Sequence, residues 1–156
     1  GLPIENSELV LVGSGELEPE YAAAVRDFVK QAGSARRVRF LGALAAEGVA
    51  EQLALADVLV LPSALEGYGM VLSEALWASV PVIAARVGAA EELVGRTGAG
   101  LLFEPDDVAA LGATLCAFVS DDRLRARLRR DAWAAAAALP RWAGTARALR
   151  AQLLPR

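Results

Sequence analysis

Two carboxylates, Glu66 and Glu74, stand with seven residues between them across a glycine-bearing turn. Residues 59–85 around them read LVLPSALEGYGMVLSEALWASVPVIAA: an apolar strand, a turn, a helix and a second apolar strand. Gly67 and Gly69 follow Glu66 at once. Glycine is costly in a helix interior, so Glu66 belongs to the turn and the helix starts near Gly69 or Met70. Glu74 then lies about a turn and a half into that helix. The amino end of such a helix offers unpaired N–H groups and a partial positive charge, a seat for phosphate. A carboxylate on each side is out of place if phosphate is the whole ligand. Ionised carboxylates only accept hydrogen bonds, and vicinal sugar hydroxyls offer two donors. The residues point to a nucleotide-sugar.

A lone glutamate near a helix start commonly does no more than favour the helix dipole. The whole string says more. It resembles the E-x7-E signature of retaining glycosyltransferases of the GT-B fold, of the glycogen synthase and mannosyltransferase kind. Their pattern, P-S-x-x-E-G-[FY]-G-x-x-x-x-E-A, stands here as Pro62, Ser63, Glu66, Gly67, Tyr68, Gly69, Glu74 and Ala75. A second family pattern, G-G-x-x-E-[IL]-V, is met by Gly88, Glu92, Leu93 and Val94, with Ala89 in place of the second glycine. The added methyl at position 89 is expected to limit how closely a ligand approaches that backbone.

The resemblance implies a donor site. The diphosphate would sit over the helix that starts at Gly69, bound with the sugar by the amides of Tyr68, Gly69, Met70 and Val71. Glu74 would hold the ribose hydroxyls. Glu66 would hold the transferred sugar and is the expected catalytic residue. Gly67, Gly88, and Gly13 and Gly15 of an earlier G-x-G would line the cleft. The resemblance calls for no metal and no cofactor on this domain. The partners it implies are a nucleotide-sugar donor and an acceptor brought by a second, N-terminal domain.

These residues need a scaffold, and the chain supplies one in regular alternation. Residues 8–12 form a short strand ending at Gly13-Ser14-Gly15, followed by a helix over 19–32. As a dinucleotide fingerprint the G-x-G is incomplete, since Glu18 stands where the third glycine belongs. Residues 38–41 make a second strand and 46–56 a helix. Residues 58–61 are continuously apolar and are expected to be a central strand. After the organising helix come a strand over 80–84, a loop and short helix over 86–94, a turn over 95–100 and a strand over 101–103. Glu104-Pro105-Asp106-Asp107 caps a helix over 108–120, and an arginine-rich amphipathic helix spans 123–138. Pro140 breaks it and Trp142 opens the last helix. Strand and helix alternating throughout mean an α/β fold, a Rossmann-like doubly wound parallel sheet with helices on both faces. Ligands then bind at the carboxyl ends of the strands, where the proposed site residues fall.

Composition narrows the partners. The chain has 156 residues, 55% hydrophobic and 22% charged, with a net charge of −3. That is enough for one domain with a real core. The charge gives no basic field to attract nucleic acid or an anionic membrane. The arginine run at 123–130 reads as a solvated helix face over a leucine stripe. There is no histidine, so none serves as acid, base or metal ligand. The single cysteine, Cys116, fits a buried thiol in a reducing compartment, so the expected location is cytoplasmic. No apolar run approaches the roughly 20 residues of a membrane helix.

The resemblance covers residues 10 to about 149, read as one Rossmann-like domain, but only half of the two-domain enzymes it points to. The family's opening strand and helix, with a G-R turn and a lysine that grip the diphosphate, have no counterpart here. Lys30, the only lysine, lies on a later helix. The chain is therefore expected to be a fragment without transfer activity of its own. Its strands either close up in the order 2-1-3-4-5 or leave a slot for another segment, which opens the way to pairing as a homodimer. Arg86 is either a substitute phosphate cation or a plain surface arginine. Three other readings remain: a nucleotide-sugar epimerase-like domain, a non-catalytic Rossmann-like nucleotide-binding module, and an oxidoreductase's dinucleotide domain. The second strand ends Phe40-Leu41-Gly42, without the acidic residue the last of these needs.

Overall fold

The computed structural model describes residues 7–63, 69–139 and 150. In chain order the elements are β1 (Leu9–Val12), α1 (Pro19–Gln31), β2 (Val38–Gly42), α2 (Ala46–Leu55), β3 (Leu59–Leu61), α3 (Met70–Trp77), β4 (Val82–Ala85), α4 (Gly88–Thr97), β5 (Gly100–Phe103), α5 (Val108–Ser120) and α6 (Asp122–Ala138). This is an α/β fold, and every strand pair in it is parallel. Among the described residues no helix is long and apolar enough to cross a membrane.

The chain divides into two units, Gly1–Leu55 and Ala56–Arg156. In the first, β1 pairs with β2, Leu9 opposite Val38, with an irregularity between Leu11 and Val12. Pro19 opens α1, where a missing N–H costs nothing. No side chain of α1 is fully buried, and Tyr21 and Phe28 stand largely exposed. The Arg26 guanidinium lies over the Phe40 ring, 5.3 Å from its centroid.

The second unit holds the core. Its sheet has the order β3-β4-β5, and every residue of β4 is buried. Successive residues of a strand face opposite ways. Ile83 and Ala85 cluster with Phe103, with Phe118 of α5 and with Leu128 of α6. Val82 and Ala84 face the other side and are equally closed. Right-handed crossovers place α3 and α4 together on that side, where Leu72, Leu76, Ala90 and Leu93 are buried. Both faces of the strand are therefore covered, as a continuously apolar parallel strand requires.

That arrangement corrects one expectation. The central strand is β4, not the strand beginning at residue 58. Of the two strand arrangements left open, the single 2-1-3-4-5 ladder is not the one formed: among the described residues the strands make two sheets, β1-β2 and β3-β4-β5. With β4 its only strand neighbour in that sheet, β3 is half-buried along its length. The helix after β4 also runs further than expected. Gly95 sits within α4, which continues to Thr97 and is closed by Gly98, whose N–H donates to the Val94 carbonyl.

Two aspartates fix the helices beneath the sheet. The Asp107 carboxylate accepts from the Ala110 N–H at 2.8 Å, the cap expected from sequence. Asp121 accepts from the N–H groups of Arg123 and Leu124 at 2.9 and 3.0 Å. Replacing Asp121 with alanine is expected to cost about 1 kcal/mol, the usual value of such a cap. A urea titration monitored at 222 nm checks this, and an unchanged midpoint would contradict it.

Candidate functional site

The organising helix starts where the sequence places it. Gly69 is the residue before α3, in the left-handed region at φ 60° and ψ 38°, and no side chain caps the helix start. The first α-helical hydrogen bond runs from the Ser73 N–H to the Gly69 carbonyl at 3.1 Å. The N–H groups of Met70 and Val71 fall in the first turn, where a helix offers no internal acceptor. The Met70 side chain is 70% exposed. Glu74, one turn on from Met70, is exposed. Its carboxylate makes no ion pair or hydrogen bond among the described residues. An unpaired carboxylate beside an open helix start is a ready acceptor for hydroxyls. Glu66, Gly67 and Tyr68 lie outside the described residues.

A second helix start lies beside the first. Gly88, expected within a loop and short helix over 86–94, is the first residue of α4, exposed, with φ 45°. Val87 precedes it in extended conformation, and no side chain caps this helix either. Helices α3 and α4 follow the adjacent parallel strands β3 and β4, so both amino ends stand at the carboxyl ends of the strands. They are close together. A methyl placed on Gly69 would lie 3.0 Å from the Ala89 Cβ and 2.9 Å from Leu72 Cδ1. The methyl of Ala89 is thus turned toward the start of α3.

Arg86 joins β4 to its neighbours. Its N–H donates to the Phe103 carbonyl at 2.8 Å. Its side chain donates from Nε to Glu104 Oε1 at 2.9 Å and lies 3.8 Å from Glu91 Oε1. Of the two readings open from sequence, the structure gives Arg86 a partly exposed ion-paired place at the ends of β4 and β5. The pairing spans 18 residues, and no local pattern announces it. Exposed pairs of this kind contribute at most about 1 kcal/mol. Arg86→Ala is expected to lower stability by that amount or less. The difference should shrink in 1 M salt, where screening is short-ranged. A loss that persists in salt would contradict the assignment.

In the first unit, Gly13 follows β1 at φ 151° and its N–H donates to the Gly42 carbonyl at 2.9 Å. Gly15 faces Ala22 of α1, where a methyl would meet the Ala22 Cβ at 3.2 Å. That contact gives Gly15 a packing role by itself. Gly13 and Gly15 belong to the first unit and Gly69 to Glu74 and Gly88 to the second.

A separate cleft of about 280 Å³ opens at the amino end of β3, lined by Asp57, Phe118, Arg125, Ala126 and Arg129. Its cations are already engaged. Arg129 donates to Asp57 Oδ1 at 2.9 Å. Arg125 donates to the Phe118 and Val119 carbonyls and to Asp122. The open helix starts lie at the other end of the strands. No cluster of metal-ligating side chains occurs among the described residues.

Comparison with known proteins identifies the family. The family described as Glycosyl transferases group 1 matches residues 2–134. The D-inositol 3-phosphate glycosyltransferase of Corynebacterium efficiens is 31% identical over 130 residues, covering 83% of this chain and 31% of that protein. The crystal structure of Anabaena Alr3699/HepE in complex with UDP-glucose superposes with a TM-score of 0.82 at 27% identity, over 94% of this chain and 41% of that one. The C-terminal domain of a glycosyl transferase group 1 protein (LpcC) from Francisella tularensis shares the fold. Its TM-score is 0.72 at 20% identity, over 88% of this chain and 87% of that one. The chain spans between a quarter and about a third of the length of the first curated relatives it matches. With the family matched over most of its length, the chain is a member of the glycosyl transferases group 1 family.

Proposed function

We propose that residues 1–156 form the donor-binding domain of a two-domain retaining glycosyltransferase that moves a hexose from a nucleoside diphosphate to an acceptor. One observation carries this reading. The open amino ends of α3 and α4 adjoin at the carboxyl ends of β3 and β4, beside the exposed, unpaired carboxylate of Glu74. Helix starts attract phosphate, and a carboxylate accepts from ribose hydroxyls. The resemblance at Glu66-Gly67-Tyr68-Gly69 adds the transferred sugar, with Glu66 accepting from its hydroxyls.

The donor diphosphate would rest over α3, bound by the N–H groups of Tyr68, Gly69, Met70 and Val71, with Gly88 leaving the start of α4 open. Attack of the acceptor hydroxyl on the anomeric carbon from the leaving-group face breaks the bond to the β-phosphate oxygen, and that oxygen takes the hydroxyl proton. Configuration is retained. The helix ends stabilise the negative charge that grows on the departing diphosphate. The acceptor comes from a second domain, so this chain alone binds donor and does not turn it over.

The test is calorimetric titration of the chain with UDP-, GDP- and ADP-sugars and with the plain nucleotides. Binding that favours one diphosphate sugar supports the reading. UDP-glucose is the natural first ligand, since the Anabaena structure holds it. A folded sample that takes none of them, or that transfers sugar without a second domain, would contradict it.

A further inference from the structure

We propose that Ala89 is a positioning residue: its methyl, seated at Gly69, sets the spacing between the amino ends of α3 and α4 and so the geometry in which both meet one ligand. The inference rests on the donor-site reading and adds to it a residue at which this chain departs from the family pattern.

Gly69 is buried, and its φ of 60° is one that side chains rarely adopt. The space a side chain there would need is already filled, by Ala89 Cβ at 3.0 Å and Leu72 Cδ1 at 2.9 Å. Leu72 is fully enclosed and has nowhere to retreat. Positions 69 and 89 therefore hold one methyl between them, and here residue 89 carries it. Behind Ala89, Ala90 and Leu93 are buried and fix α4 on the sheet. On the far side, Arg86 ties Glu91 of the first turn of α4 to Glu104 beyond β5. The first turn of α4 is thus held from two directions, and the Ala89 methyl is the part that bears on α3. With glycine at 89 the gap is unfilled and the contact that sets the spacing of the two helix starts is lost. Ligand groups shared between two donors are sensitive to displacements of an ångström.

The experiment measures affinity for UDP-glucose and the urea midpoint on the same samples of Ala89→Gly, Ala89→Ser, Gly69→Ala and the Gly69→Ala/Ala89→Gly double variant. Ala89→Gly is expected to weaken binding about fivefold or more. Ala89→Ser, which restores an atom in the gap, is expected to recover most of it. Gly69→Ala is expected to lose less affinity when residue 89 is glycine than when it is alanine, because the pair shares one space. A role in stability alone would move the midpoint of Ala89→Gly and leave its affinity unchanged, which overturns the proposal. Independent losses at the two positions overturn it as well. A parent chain that binds UDP-glucose alongside an unaffected Ala89→Gly would sink this inference and leave the donor site standing. A folded parent that does not bind sugar nucleotides at all would remove both.

Discussion

Gly100→Ala is expected to destabilise the second unit by about 3 kcal/mol or more, at the upper end of what overpacking does. Gly100 opens β5 directly opposite Val82 of the central strand. An added Cβ would lie 2.2 Å from the Val82 carbonyl oxygen, 3.1 Å from its carbon and 3.3 Å from its Cβ. The obstacle is mainly backbone, so no rotamer relieves it. The backbone must shift at the β4–β5 pairing, and β4 is buried on both faces. Domains are stable by only about 5–15 kcal/mol, so a loss of this size moves the unfolding midpoint far. Gly112 is the internal control. It lies in α5 with nothing within 4 Å of an added methyl, and alanine there should stabilise by up to about 1 kcal/mol, as helix propensity dictates. Urea unfolding of the two variants beside the parent reads both signs. Equal midpoints for Gly100→Ala and the parent would mean that β4 and β5 do not pair in this register.

Glu74→Ala is expected to leave the fold intact and weaken the binding of a sugar nucleotide roughly 10- to 150-fold. That is the worth of hydrogen bonds to a charged acceptor, about 1.5–3 kcal/mol. The carboxylate is exposed and makes no ion pair or hydrogen bond among the described residues, so stability should change by no more than about 0.5 kcal/mol. Glu74→Gln keeps one acceptor oxygen and should fall between the parent and the alanine variant. Affinity measured by calorimetry against the urea midpoint separates the two effects. A variant that loses stability while binding as the parent does would remove Glu74 from the site.

Much of this was legible because it is written locally. The apolar runs mark the strands, the glycine-bearing turn before Met70 marks the start of α3, and Asp107 announces the cap of α5. Those signals are carried by neighbouring residues. What could not be read is carried by residues far apart in the chain. Pairing between strands decides that β4 rather than β3 is central, and all three strands of that sheet are similarly apolar. The Gly-rich run after residue 94 looks like a turn throughout, yet Gly95 is accommodated within α4 and only Gly98 ends it. Ala89 showed in the sequence as a missing glycine, which gives no hint that its methyl faces a residue 20 positions earlier. Arg86 was readable only as a cation, because its partner Glu104 lies beyond a helix and a strand. Glu74 was singled out by type and spacing; in the structure its carboxylate is exposed and has no ion pair or hydrogen bond among the described residues.

The central claim is that the adjoining starts of α3 and α4 receive the donor. The most direct measurement is amide chemical-shift mapping of the chain during titration with UDP-glucose. The account predicts saturable shifts at Gly69, Met70, Val71, Glu74, Gly88 and Ala89, with Arg125 and Arg129 at the opposite end of the sheet unmoved. Saturable binding that shifts the residues around Asp57 and Arg129 and leaves Gly69 to Val71 unchanged would contradict it.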